Sequence, residues 1–132
     1  MTIVERVSGY GYIDIKIKNG EYNDALSILD ERLRRYIDIE EKCQLWLFKA
    51  WVLYATKSYT SALDHIKLIV MCRDRINTSI ISQALLVGGM IYLKLGKHKM
   101  CYDSITECLR LELHSCAAMD LMEVLKVKIM ER

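Results

Sequence analysis

The chain has no proline in its 132 residues. Proline removes a backbone donor and breaks helix interiors, so its absence lets helices run uninterrupted and makes a long disordered linker an unexpected feature. An excess of one charge is also lacking. Nineteen Lys and Arg stand against 17 Asp and Glu, a net charge of +2. That balance supplies no general pull towards nucleic acid or acidic lipid. No Cys-x-x-Cys pair occurs, and the five cysteines, Cys43, Cys72, Cys101, Cys108 and Cys116, are scattered. An odd, dispersed set suits a reducing cytosol in which thiols pack as small apolar groups. The apolar start of the chain is interrupted by Glu5 and Arg6, unlike a signal peptide. The uncharged run from Ile76 to Leu93 holds Asn77, Thr78, Ser79, Ser82 and Gln83. It reads as a buried helix with a polar N-cap, not as a membrane span. The expectation is a cytoplasmic protein with no membrane insertion.

Apolar residues are abundant, at 52% of the chain, with a mean hydropathy of +0.10. This is rich for a small protein. Either the interior is unusually apolar or part of the apolar surface serves a partner, self-association included. The length is that of one domain, residues 1–132, with enough chain to bury a core.

Periodicity predicts seven helices and no strand. The first covers about Ile3–Lys18 and stops at Asn19-Gly20. The second, Glu21–Tyr36, carries Tyr22, Ala25, Leu26, Leu29 and Leu33 on one stripe. Asp38 with Glu41 forms a capping-box pattern before the third helix, which runs to Ala55 and holds both tryptophans, Trp46 and Trp51. Ser58 is the expected cap of a fourth helix reaching Asp74. Asn77-Thr78-Ser79 caps a fifth, ended by Gly96. The sixth spans about Lys97–Glu112, and Ser115 caps a seventh that runs to the C-terminus.

The turns repeat. Asn19–Leu26 is Asn-Gly-Glu-Tyr-Asn-Asp-Ala-Leu, and Thr56–Leu63 is Thr-Lys-Ser-Tyr-Thr-Ser-Ala-Leu. Leu95–Tyr102, Leu-Gly-Lys-His-Lys-Met-Cys-Tyr, is a third echo. Aligning Ala25, Ala62 and Cys101 gives spacings of 37 and 39 residues. A turn, an aromatic and a small residue recurring between helices signal stacked helical hairpins. On these residues the chain resembles the tetratricopeptide repeat family, whose period is about 34 residues. The turn glycine of the family is matched by Gly20 and Gly96 and replaced by Lys57. The next aromatic is Tyr22, Tyr59, then His98. The small position is Ala25, Ala62 and Cys101, followed by Leu29, Ile66 and Ile105. Trp46 and Tyr92 match aromatics of the first helices, while Leu85 and Leu53 replace them. Gly88-Gly89 sits inside a helix and permits close packing.

The resemblance implies an all-α fold, a right-handed superhelix of about three antiparallel hairpins, residues 3–36, 39–74 and 78–112. Residues 115–131 would then be a capping helix. It further implies a concave groove lined by the first helix of each hairpin. The transferred positions are Val7, Tyr10, Asp14 and Ile17, then Gln44, Leu47, Trp51 and Tyr54, then Gln83, Leu86, Met90 and Leu93. These positions lack the Lys/Arg/Asn set that members use to clamp a carboxylate. The expected ligand is therefore an apolar segment, most simply an amphipathic helix of another protein. In size, repeat count and groove polarity the chain is similar to the small tetratricopeptide-type chaperones of bacterial type III secretion. The functional expectation is a non-catalytic chaperone or adaptor, with a structural subunit of a larger assembly as the alternative.

Catalysis and metal binding have weak sequence support. His98-x-x-Cys101 shares a helical face, with Cys108 two turns on, yet no pair-plus-pair spacing of a structural zinc site occurs. Asp103 and Glu107 at i, i+4 have no nucleophile or second acid beside them. No nucleotide-binding glycine motif is present. Lys94, Lys97, His98 and Lys99, with Lys126 and Lys128, form no stripe wide enough for nucleic acid. The expectation is no enzyme, no cofactor and no metal.

Overall fold

The structure, a computed structural model, describes residues 11–131. These residues form seven α-helices and no strand. We number them α1 (Tyr12–Lys18), α2 (Tyr22–Leu33), α3 (Ile39–Ala55), α4 (Tyr59–Met71), α5 (Thr78–Lys94), α6 (His98–Leu111) and α7 (Cys116–Met130). A short 3₁₀ turn, Arg73–Arg75, follows α4. Residues 3–10 of the expected first helix lie outside the described residues.

Three of the helix boundaries are fixed by the side chains expected to fix them. Asp38 Oδ1 accepts the Glu41 N–H at 2.8 Å. Asn77 Oδ1 accepts that of Ser79 at 2.7 Å, and Ser115 Oγ that of Ala118 at 3.3 Å. Each satisfies a donor that the helix start leaves without an intrahelical partner. Ser58 differs. It occupies the N-cap position of α4, but its side chain makes no capping bond. Its φ and ψ, −87° and 64°, match those of Lys97 before α6, −91° and 76°, so the backbone here follows the turn and not the cap. α4 also stops at Met71, short of Asp74, and α2 at Leu33, short of Tyr36.

The turns between α1 and α2, α3 and α4, and α5 and α6 are three copies of one structure. Each has a residue in the left-handed region: Gly20 at φ 75°, Lys57 at 66° and Gly96 at 73°. In each, the following N–H reaches back five residues. Glu21 bonds Lys16 O at 2.9 Å, Ser58 bonds Leu53 O at 2.8 Å, and Lys97 bonds Tyr92 O at 2.9 Å. The left-handed residue itself donates to the carbonyl three back, at 3.0, 3.0 and 3.1 Å. This double bond pattern closes the preceding helix and turns the chain back on itself. The small residue five positions after the left-handed one, Ala25, Ala62 or Cys101, is fully buried in every hairpin.

The odd-numbered helices form a row, in which α1 packs on α3, α3 on α5 and α5 on α7. Each even helix packs on the odd helices before and after it. Buried side chains therefore fall into two clusters separated by α3. Leu45 and Val52 face Ile13, Ala25 and Leu29 of the first hairpin. Cys43, Leu47 and Ala50 face the larger cluster built from α4 to α7. A core that passes along the chain in this way is the packing of stacked repeats. Glycine tightens its far end: a Cβ on Gly89 would lie 3.0 Å from Ile105 Cγ1 and 3.3 Å from Leu121 Cδ2. α7 takes the next place in the row. Leu125 and Ala118 are buried, but Met119, Val124, Val127 and Met130 are exposed. The exposed side of α7 mixes these apolar residues with Asp120, Glu123, Lys126 and Lys128.

Candidate functional site

α3 and α5 are buried on most sides, and the sides left open are informative. On α5, Gln83, Leu86, Met90 and Lys94 recur at helical spacing. Gln83 and Lys94 are exposed, and Leu86 and Met90 are partly so. On α3 the corresponding partly open residues are Gln44, Phe48 and Trp51. Because α3 packs on α5, the two stripes lie on neighbouring helices of one row. Trp51 meets Tyr54 edge-on, with ring centroids 6.1 Å apart. Tyr54 in turn lies 5.7 Å from Tyr59 at the start of α4. Burial of Tyr54, with Tyr59 beside it, holds its phenol above the usual range, so it stays neutral. Lys42 sits over the Trp46 ring at 5.7 Å, and Trp46 packs against the main core.

The expected groove residues fare differently. Trp51, Leu86 and Met90 are partly open, Gln44 partly and Gln83 fully. Leu47 is 1% exposed and belongs to the main core, so it cannot be an open anchor in this fold. It is one helical step too far towards α4 and α5. Tyr54 and Leu93 are partly buried against the same core. Ile17 packs against the first-hairpin core, and Tyr10 and Val7 lie outside the described residues. Phe48 belongs on the stripe and was missed, although its position four after Gln44 and three before Trp51 is visible in the sequence. It also packs against the smaller core. At the N-terminal ends of α3 and α5 the stripe borders a recess lined by Asp38, Glu40, Glu41, Gln44 and Ile80. Glu40 there accepts the Asn77 N–H at 3.1 Å.

A larger cleft, about 530 Å³, opens on the other side of α5, between α4 and α6. Its floor is Leu85, Gly88 and Tyr92. Leu63, Ile66, Val70 and Met71 form the α4 wall, and Met100 and Ser104 stand on the α6 wall. Its rim carries Lys67, Asp103 and Glu107. Sequence reading missed this cleft. Met71 and Met100 are apolar residues on otherwise polar helix sides, and that pattern was the available sign.

Three of the five thiols, Cys43, Cys101 and Cys108, are buried packing groups. Cys43 and Cys101 are fully buried. Burial pushes the Cys43 thiol up to about 12, with Cys72 adding to the effect, and the Cys101 thiol up to about 11. Cys108 is raised by burial as well, and donates to Ser82 O at 3.3 Å. A protonated, buried thiol is a poor nucleophile and a poor ligand. Among the described residues no group of three or more His, Cys, Asp and Glu is placed to hold a metal ion. No helix among them is long and apolar enough to cross a membrane.

No protein-family model matches the chain. No curated protein matches it at a significant level either.

Proposed function

We propose that the chain is a tetratricopeptide-like interaction module. In this reading it is a right-handed superhelix of three hairpins extended by α7, whose concave face binds an amphipathic helix of another protein. The observation that carries the reading is the paired stripe. Helices α3 and α5 pack on each other and leave Trp51, Leu86 and Met90 partly open. A helix that is hydrophobic nearly all round is normally buried on two sides. Here the second side is left partly open among the described residues, and α7 extends the row instead of covering it. The three matching turns support the family likeness, because they set a common angle for each hairpin.

The acidic recess at Asp38, Glu40 and Glu41 gives the partner a polarity: apolar in the middle, basic at that end. Trp51 would be the leading anchor, since large aromatics dominate interface energies. Truncating such an anchor costs about 2 kcal/mol or more of binding free energy. In a cytoplasmic chaperone or adaptor of this kind, the apolar face is what keeps a client segment from aggregating. The test is co-expression with the client found by co-purification. Wild type should hold it soluble at fixed stoichiometry, and Trp51→Ala should release it while remaining helical by circular dichroism. Retention of the client by Trp51→Ala with Met90→Glu would refute the groove. Co-purification with several large chains, insensitive to both changes, would favour a structural subunit.

A further inference from the structure

The cleft between α4 and α6 faces away from the stripe just described, and its chemistry is different. Its walls are apolar, with methionine on both. Met71 is 80% exposed and Met100 44% exposed. Methionine is flexible and polarisable, and suits surfaces that accept varied apolar side chains. The rim charges are mostly satisfied within the fold. Asp103 pairs with Lys99 at 3.3 Å, and Glu107 pairs with Arg73 and Arg110. Ser104 Oγ donates to Leu85 O at 2.6 Å. Lys67 alone among the charged lining residues has no ion pair or hydrogen bond within the described residues.

The dimensions suit a short helix. The α4 wall runs from Leu63 to Met71, about 12 Å at 1.5 Å per residue, or roughly two helical turns. Gly88 leaves the floor low where the two walls approach: a Cβ there would meet Ile66 Cγ2 at 3.2 Å and Ser104 Oγ at 3.4 Å. An occupant of this length offers apolar side chains at i, i+3 or i+4, and i+7.

We propose that this cleft is a second docking site, and that its occupant is an amphipathic helix from another protein bearing an acidic residue beside its apolar stripe. The carboxylate pairs with Lys67, the one rim charge without an ion pair among the described residues, and the stripe fills the space between Met71 and Met100. Two opposite faces then let one small domain hold two segments at once, one acidic-flanked and one basic-ended.

The test uses the full chain carrying ¹³C-methyl methionine, so that each face reports separately. Met71 and Met100 mark the cleft, Met90 the stripe on α5, and Met119 and Met130 the outward side of α7. The probes are two stapled helical peptides of about 14 residues. Both carry Leu at i, i+4 and i+7, with Glu flanking the stripe in one and Lys in its twin. The Glu peptide should shift Met71 and Met100 saturably, with a Kd on the order of 10–100 µM. Lys67→Glu should weaken it about fivefold and make the Lys peptide the better ligand. Met71→Asp, at an exposed position, should abolish the Met100 shift without unfolding the protein. No saturable shift by about 1 mM overturns the proposal, as does binding that ignores the charge at position 67. Shifts confined to Met90 would place the peptide on the stripe and defeat the cleft alone. Concentration-dependent shifts of Met71 and Met100 without peptide would mean a second copy is the occupant. Displacement of the peptide by sub-stoichiometric laurate would mean a lipid site. Either result rejects the helix.

Discussion

Lys57→Gly should stabilise the protein. Lys57 is the one described residue other than glycine with a positive φ, 66°, and it holds the place that Gly20 and Gly96 hold in the other two turns. A left-handed conformation costs an L-residue about 1–2 kcal/mol. Glycine avoids that strain but forfeits about 0.5–1 kcal/mol of backbone entropy on folding. The net gain is about 0.5–1 kcal/mol. For 132 residues the unfolding entropy is about 0.28 kcal/mol/K, so Tm should rise by about 2–4 °C. The reverse changes, Gly20→Ala and Gly96→Ala, should each lose a similar amount. A Cβ at either site meets nothing within 4 Å, so only the backbone is being tested. Lys57→Ala is the control for the side chain, whose charge near the end of α3 contributes about 0.3 kcal/mol. Urea titration followed by far-UV circular dichroism gives all four values. If Lys57→Gly destabilised the fold while Lys57→Ala did not, the three turns would not be equivalent, and the repeat would lose its main support.

Further outcomes follow from the packing and the titrating groups. Gly89→Ala should cost about 1–2 kcal/mol in the same titration, because its Cβ would sit 3.0 Å from Ile105. Gly88→Ala should be nearer neutral, since its closest contact is 3.2 Å and alanine regains about 1 kcal/mol of helix propensity. The thiols' contribution to stability should be flat below about pH 8 and fall above pH 9. There the unfolded chain releases thiol protons that folded Cys43 and Cys101 retain up to about 12 and 11. The slope is about 1.4 kcal/mol per pH unit for each thiol, and Cys101→Ala should make the fall shallower between pH 9 and 11. In the native state Cys116, exposed, should react with a thiol reagent at pH 8 far ahead of buried Cys43, Cys101 and Cys108; equal rates would contradict the burial.

The helices were legible because local signals agree. Asp38, Asn77 and Ser115 name their own helix starts, and Gly20 and Gly96 name two of three stops. Lys57 shows how far the repeat pattern reaches: it keeps a glycine's conformation without glycine's chemistry, and only alignment with the other turns exposes it. The ends of α2 and α4 were set too far downstream, since apolar periodicity continues past the last helical bond. The candidate face was legible to within one helical step. Leu47 and Phe48 are neighbours on α3, and the choice between them depends on how far α3 rotates against α5, which no single helix records. The cleft between α4 and α6 was harder to read for a related reason. It is made by three helices, and its local signs, Met71 and Met100 on otherwise polar helix sides, do not say which helices come together around them.

The central claim is that the open stripe on α3 and α5 holds a partner helix. Trp51 provides the most direct measurement, with Trp46→Phe removing the other indole. Titrating the co-purified client's helix into Trp46→Phe protein should shift Trp51 emission to the blue. The binding curve should saturate at one to one, and Met90→Glu should weaken it at least about tenfold. A client that binds with the same affinity to Met90→Glu, and leaves Trp51 emission unmoved, would show that the stripe is not the binding face.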